Sequence, residues 1–338
     1  MEQSKLNKLR ELYAEADGSQ YLTDRFKHCG EKLADRPHSS NKPFAGVSTF
    51  LDLPYTPDYQ GLDVALVGIP MDLGVCSRSG ARFGPRAVRN MERIGPYNHA
   101  LDEIPSAVLK AADVGDIPMR SRFDLNKCHE DIEAYMKELV ATGVKPLSVG
   151  GDHSVTRPIM MALGEKEPLA MLHIDAHMDT GGIYEGEKFH HGAPFRRAVL
   201  DGVLDPEHCV QIGIRGSVEM SGEFSYESGM TVIHAEDIEL EGIEAIIEKA
   251  KKVLGDKPVY VTIDVDGIDP AYAPGTGTPE VGGMSPLQVQ MIVRSLKGLN
   301  IVGGDVVEVA PQYDPTTNTA QVAAQMLFEI FSIMAFCK

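Results

Sequence analysis

No long apolar run interrupts this 338-residue chain. The most hydrophobic stretch, VAAQMLFEIFSIMAF near the carboxyl end, is broken by Gln325 and Glu329 and falls short of the ~20 residues a membrane span needs. The opening MEQSKLNKLRELYAEADG carries acids and lacks an apolar core, so it reads as neither a secretory signal nor an acid-poor transit peptide. Cysteine is scarce. Cys29, Cys76, Cys128, Cys209 and Cys337 are scattered, odd in number and form no C-x-x-C pair. That argues against a disulfide framework or a zinc knuckle and fits reduced thiols in a cytoplasmic enzyme. Positive charge is also short, with 32 Lys and Arg against 49 Asp and Glu and a formal net charge of −17. Duplex DNA and anionic membranes are repelled by such a surface, so neither is expected as a partner, whereas a cationic small molecule is tolerated. No solenoid-length repeat or low-complexity tract occurs.

What is present is ordinary in bulk: 43% hydrophobic and 24% charged residues, enough for one large α/β domain or two small ones. Residues 1–60 are polar, and Pro37, Pro43, Pro54 and Pro57 oppose long regular elements, so this region reads as an irregular amino-terminal arm or cap. Residues 61–338 read as a single catalytic domain. There, short apolar runs alternate with amphipathic segments. DVALVGI, KAADVGDI, KPLSVGG, LAMLHIDAH, CVQIGIRG, TVIHA, PVYVTIDVD and IVGGDVVEVA are predicted strands. Ile132, Tyr135, Met136, Leu139 and Val140 repeat at helical spacing up to Gly143, as do Val322, Ala323, Met326, Leu327, Ile330 and Phe331. Both stripes read as core-facing. Strands alternating with helices predict an α/β fold whose mostly parallel sheet carries helices on both faces.

Ligands of open parallel sheets bind beyond the carboxyl ends of the strands. Four polar clusters fall there: SVGGDHS with His153, LHIDAHMDT with Asp175, His177 and Asp179, VTIDVDGIDP with Asp264 and Asp266, and GGDVVEVAPQYD with Asp305 and Glu308. Side chains two apart on a strand share a face, so Asp175 converges with His177, and Asp264 with Asp266. Asp179 is expected on the loop just beyond its strand. Four carboxylates and two imidazoles exceed what one divalent ion requires and suit two ions sharing bridging carboxylates. Oxygen donors with two imidazoles and no thiolate favour Mn²⁺ over a structural Zn²⁺, with Ni²⁺, Co²⁺ or Fe²⁺ able to use the same donors. Two ions roughly 3.5–4 Å apart lower the pKa of a shared water to about 7. Taken singly, Asp152, Asp269 and Asp305 read as turn or helix caps, and His173 as a satisfied core histidine on the face opposite Asp175 and His177.

GGDHS, DAHMDT and DVDGIDPAYAPGTGTPEVGG together resemble the signature blocks of the ureohydrolase family, the arginases and agmatinases, and SRSGARFGPRAVR and EVAPQYD are similar to flanking blocks. The resemblance runs from about Leu62 to the carboxyl end. It implies an α/β/α three-layer fold with an eight-stranded parallel sheet, and a binuclear manganese centre held by His153, Asp175, His177, Asp179, Asp264 and Asp266. It also implies a homotrimer or homohexamer, with a hetero-oligomer as a further arrangement. The implied reaction is hydrolysis of a guanidino compound to urea and an amine. Glu308 stands at the place of the family's guanidinium-binding glutamate, Asp179 at that of the ligand that passes a proton to the departing nitrogen, and His191 at that of a proton-relaying or substrate-contacting histidine. His190 has a weaker claim.

APGTGTP lacks the lysine of a phosphate loop and reads as a rim loop, with Thr276 and Thr278 as minor contacts. Gly216 stands where arginases are expected to carry an acid that recognises an α-amino acid head, which argues against arginine. FAGVSTFLDLPY resembles the agmatinase branch, with Asp52 where a basic residue is common, and Met178 replaces the usual threonine or cysteine. Agmatine or a guanidino acid such as 4-guanidinobutyrate is the expected substrate, with free guanidine and substituted guanidines or biguanides as alternatives. Two rival readings are a non-catalytic subunit of a mixed oligomer, which predicts missing ligands, and a single-zinc deacetylase on a related sheet, which needs only an Asp-x-His and one more Asp and leaves His153, Asp179 and the pairing of Asp264 with Asp266 unexplained.

Overall fold

A computed structural model describes residues 1–17, 21–35, 45–92, 94–217 and 222–337. Eight strands form one sheet: β1 (Val64–Ile69), β2 (Ala111–Asp116), β3 (Lys145–Gly150), β4 (Leu169–Ile174), β5 (Leu204–Ile214), β6 (Thr231–His234), β7 (Val259–Asp264) and β8 (Ile301–Val307). Their order is β2-β1-β3-β8-β7-β4-β5-β6, and every neighbouring pair is parallel. Each predicted strand is present. The sheet is wholly rather than mostly parallel.

All-parallel sheets need cover on both faces, which explains the unbroken apolar runs in place of an alternating pattern. Along β1, Val64 and Leu66 pack into one core while Ala65, Val67 and Ile69 pack into the other, as a period of two dictates. Helix Leu125–Ala141 inserts Ile132, Met136 and Leu139 on the second side, and helix Asn318–Met334 inserts Ala323, Leu327, Ile330 and Phe331 on the first. Asp124 caps the former by accepting from the Lys127 N–H at 3.1 Å. Gly143 follows its end at φ +86°, a backbone conformation that glycine adopts without strain. Glu329, the acid that breaks the late apolar stretch, is fully buried and receives Arg294 Nε at 2.8 Å, Arg294 Nη2 at 2.5 Å and Asn98 Nδ2 at 2.8 Å. Among the described residues no helix is long and apolar enough to cross a membrane.

The amino-terminal region departs from the irregular arm predicted for it. Helices Gln3–Tyr13 and Asp24–Asp35 occupy it. The reason lies in proline placement: all four prolines follow Asp35, and the residues before them include many helix-favouring Leu, Lys, Glu and Ala. Pro37 and Pro43 lie outside the described residues. The segment around Pro54 is extended and fastened to the outer edge of β2, where the Asp113 N–H donates to Pro54 O at 2.9 Å and the Thr56 N–H to Asp113 O at 3.0 Å.

The strand order has one consequence for function. β3, β8, β7 and β4, whose ends carry the four polar clusters, are consecutive in the sheet, so residues far apart in sequence emerge side by side at one edge.

Candidate metal centre

His153 follows a glycine turn that no other residue fits: a Cβ on Gly151 would stand 2.0 Å from Met71 O. Asp152 fixes the turn, accepting from the Ser154 N–H at 2.9 Å and the Gly74 N–H at 2.8 Å, which is the capping role read for it. The His153 ring is fully buried, and its Nε2 lies 2.8 Å from Thr262 Oγ1. Thr262 is paired in register with Asp305 on β8. A hydroxyl accepts as well as donates, so Thr262 can take the His153 Nε2–H.

His153 Nδ1 is therefore the nitrogen left to hold a ligand. Among the described residues it is buried without a hydrogen-bond partner, yet faces Asp175 Oδ2 at 3.1 Å, Asp179 Oδ2 at 2.9 Å and Asp264 Oδ2 at 3.5 Å. A lone pair surrounded by carboxylate oxygens is stable only with a cation among them. Burial disfavours charge on the ring, but the three carboxylates outweigh it and hold its pKa well above the ordinary range. Without a metal a proton occupies Nδ1, and a divalent ion competes for the same position.

A second group of donors adjoins the first. His177 Nδ1 lies 3.3 Å from Asp175 Oδ1 and 3.2 Å from Asp266 Oδ2. Asp175 thus turns one oxygen to His153 and the other to His177, the arrangement of a bridging carboxylate. Donor atoms of His153, His173, Asp175 and Asp179, and those of Asp175, His177 and Asp266, lie within 4.8 Å of one another in each set. Asp264 joins them, its Oδ1 accepting the Asp266 N–H at 2.8 Å. Burial raises the pKa of both Asp264 and Asp266, and mutual repulsion with Asp175 adds to it, Asp266 being pushed up to about 6. Such crowding of negative charge is the electrostatic complement of two divalent cations. The donor set fits a binuclear centre. Asp179 holds its position at φ +52°, a left-handed conformation rare outside glycine. His177 is the ligand candidate most open to solvent, its side chain 29% exposed.

Two readings of single residues need correction. His173 lies on the same side as Asp175, because residues two apart share a face. Its Nε2 donates to Asp175 Oδ2 at 2.8 Å, and its Nδ1 accepts from Gln211 Nε2 at 3.0 Å. It is a satisfied core histidine that also orients a ligand carboxylate. Asp305 is no cap. It lies inside β8, fully buried, and accepts from Thr156 Oγ1 at 2.7 Å and Tyr260 OH at 2.8 Å. Asp269 does serve its turn, accepting the N–H groups of Ala271, Gly282 and Gly283.

Glu308 stands beside the His153 turn at φ +63°. Its Oε1 accepts the His153 N–H at 2.9 Å and faces His191 Nδ1 at 2.8 Å. Oε2 makes no hydrogen bond among the described residues. Thr278 reaches from the rim loop to Asp266 Oδ2 at 3.1 Å, while the Thr276 hydroxyl is buried without a partner among the described residues. His190 turns away, its Nε2 bonded to Gly182 O at 2.8 Å. Met178 packs with Ile214 and Val232, and Asp52 is exposed. Gly216 lies at φ +74°, a backbone conformation that L side chains rarely adopt, with the Glu280 carboxyl group beside it. Residues the sequence did not single out also reach the site: Thr262, Gln211 and Cys76. Thr262 alone left a signal, being two residues before Asp264 on the same strand.

Known proteins share this arrangement of strands. Residues 62–332 match the Arginase family. The chain is 48% identical over 296 residues to a guanidinopropionase of Pseudomonas aeruginosa, covering 86% of this chain and 93% of that protein. It is 45% identical to a mitochondrial agmatinase of Gallus gallus over 86% of each chain. Among solved structures, the proclavaminate amidino hydrolase of Streptomyces clavuligerus superposes with a TM-score of 0.85 at 35% identity, covering 88% of this chain and all of that one. With most of its length so matched, and with the strand ends carrying a donor set suited to that family's paired metals, the chain belongs to the arginase family of hydrolases that act on guanidino carbon–nitrogen bonds.

Proposed function

We propose that this chain hydrolyses agmatine or a guanidino acid such as 4-guanidinobutyrate to urea and an amine, using two divalent cations with Mn²⁺ as the natural pair. The observation that carries the proposal is the unpartnered His153 Nδ1 among three carboxylates, joined through Asp175 to a second donor group. His153, Asp175, Asp179, His177, Asp264 and Asp266 hold the cations. When bound, the pair supplies a water acidic enough to attack at neutral pH, which a guanidinium, a poor electrophile, requires.

The remaining work falls to side chains. Glu308 Oε2 receives the planar cation through charge-assisted hydrogen bonds, while Oε1 is anchored by the His153 N–H and His191 Nδ1. Asp179 has one oxygen turned to His153, and its other oxygen carries a proton to the departing nitrogen. His191 relays protons between this pocket and solvent. Glycine at 216, in place of an acid, supports a substrate without an α-amino acid head. The identities to a guanidinopropionase and an agmatinase support a guanidino group on a short chain. A homotrimer or homohexamer is the proposed assembly, to be measured by light scattering. The direct test of the reaction is urea release across guanidino compounds of graded length and tail charge, with Mn²⁺ and Ni²⁺ loaded separately. Urea from agmatine or a guanidino acid supports the assignment, and no urea from any of these substrates under either metal contradicts it.

A further inference from the structure

Cys76 is the exposed thiol of this protein; Cys29, Cys128 and Cys209 are buried and Cys337 is half-buried. Its sulfur nevertheless faces the site. Sγ lies 3.0 Å from His191 Nε2, and the Cys76 backbone N–H points at the same nitrogen from 3.3 Å. The His191 backbone is tied to the same segment, its N–H donating to Gly74 O at 2.9 Å. On the opposite edge of the ring, Nδ1 meets Glu308 Oε1 at 2.8 Å. A surface thiol, a buried imidazole and a buried carboxylate therefore stand in line.

The two ring nitrogens have different tasks. An ionised carboxylate only accepts, so Nδ1 keeps its proton against Glu308, and any change of proton occurs at Nε2. With the ring neutral, Nε2 accepts, and both the thiol and the backbone N–H can donate to it. With the ring charged, Nε2 donates, and the backbone N–H has nothing to offer. Sulfur can donate in the first state and accept in the second. The charged groups around the ring are Glu308, Asp179 and Asp152. The hydrogen bond from His191 outweighs burial and lowers the Cys76 pKa, in keeping with an accepting sulfur.

We propose that Cys76 is a positioning residue for His191, its sulfur holding the ring on Glu308 whichever proton state Nε2 adopts. This rests on the reading of His191 and Glu308 as parts of the guanidino-hydrolysing site. Two independent measurements on the metal-loaded full chain test it. The first is steady-state urea release. Cys76→Ala is expected to lower kcat about tenfold with KM changed less than about twofold, and Cys76→Ser, whose hydroxyl also donates and accepts, to recover most of that loss. The second needs no turnover. Iodoacetamide should alkylate Cys76 ahead of the other four thiols, and His191→Asn should slow that alkylation at least about fivefold by removing the imidazole that favours the thiolate. Wild-type kcat in Cys76→Ala, no recovery by serine, or an alkylation rate indifferent to His191→Asn would each overturn the proposal. If the wild-type chain released urea from no guanidino compound, the functional reading would fail, while alkylation would still decide whether Cys76 and His191 act as a pair.

Discussion

Thr262→Val isolates the claim that this chain prepares His153 to hold a cation. Thr262 is fully buried on β7, its Oγ1 2.8 Å from His153 Nε2. Valine fills nearly the same space but removes the hydroxyl. The His153 Nε2–H then loses its acceptor, at a cost of about 1–3 kcal/mol, and the ring is free to shift its proton to Nδ1, the nitrogen turned toward the carboxylates. Loss of such an outer partner typically weakens metal binding about 10–100-fold, equivalent to about 1.4–2.8 kcal/mol. The assay is a chelator competition on the stripped protein, reading the two binding steps separately. The step assigned to His153 and Asp179 should weaken by that factor, and the step assigned to His177 and Asp266 should weaken less. Thr262→Ser keeps the hydroxyl and should retain both affinities, at the expense of the buried methyl group. Unchanged affinities in Thr262→Val would refute the reasoning that orients His153.

Three further outcomes follow from other parts of the molecule. Glu308→Gln exchanges a charge-assisted contact with the guanidinium for a neutral one and should lower kcat/KM about 10²–10⁴-fold while two ions remain bound, measured by urea release and metal content. Glu329→Leu strands the Arg294 guanidinium, whose side chain is 15% exposed, and should cost about 3–5 kcal/mol in urea unfolding; a loss below about 1 kcal/mol would contradict the pairing. Burial lowers the pKa of His129 from 6.5 to about 3, so the unfolded chain takes up a proton between those values that the folded chain refuses. Its contribution is intact above pH 6.5 and is lost as pH falls toward 3. His129→Gln should therefore lose about 2–3 kcal/mol less than the wild type between pH 7 and 4.5 in denaturation midpoints converted to free energy.

The sheet was legible in the sequence because a parallel strand buried on both faces must be apolar throughout, and eight such runs alternated with helical stripes. The polar clusters were legible for the same reason: charge is costly at the end of a buried strand unless something compensates it. The errors arose where one residue's role depends on a neighbour from another strand. His173 shares a face with Asp175 by the alternation of β4, and its role in orienting that carboxylate depends on Gln211, which satisfies its second nitrogen from the adjacent strand. Asp305 reads as a cap because its partners Thr156 and Tyr260 lie remote in sequence and meet it only in the folded core. Cys76 left no mark, since a single thiol near an arginine-rich loop has no spacing that points to a histidine more than a hundred residues away. In the amino-terminal region, prolines counted over the whole segment hid two helices that end before the first of them.

Metal stoichiometry is the most direct measure of the account. The chain, stripped and then equilibrated with Mn²⁺, should hold two ions per polypeptide by elemental analysis, and His177→Ala should hold about one and release no urea. A fully active wild-type protein with at most one ion per chain, or a His177→Ala variant with two ions and undiminished turnover, would contradict it.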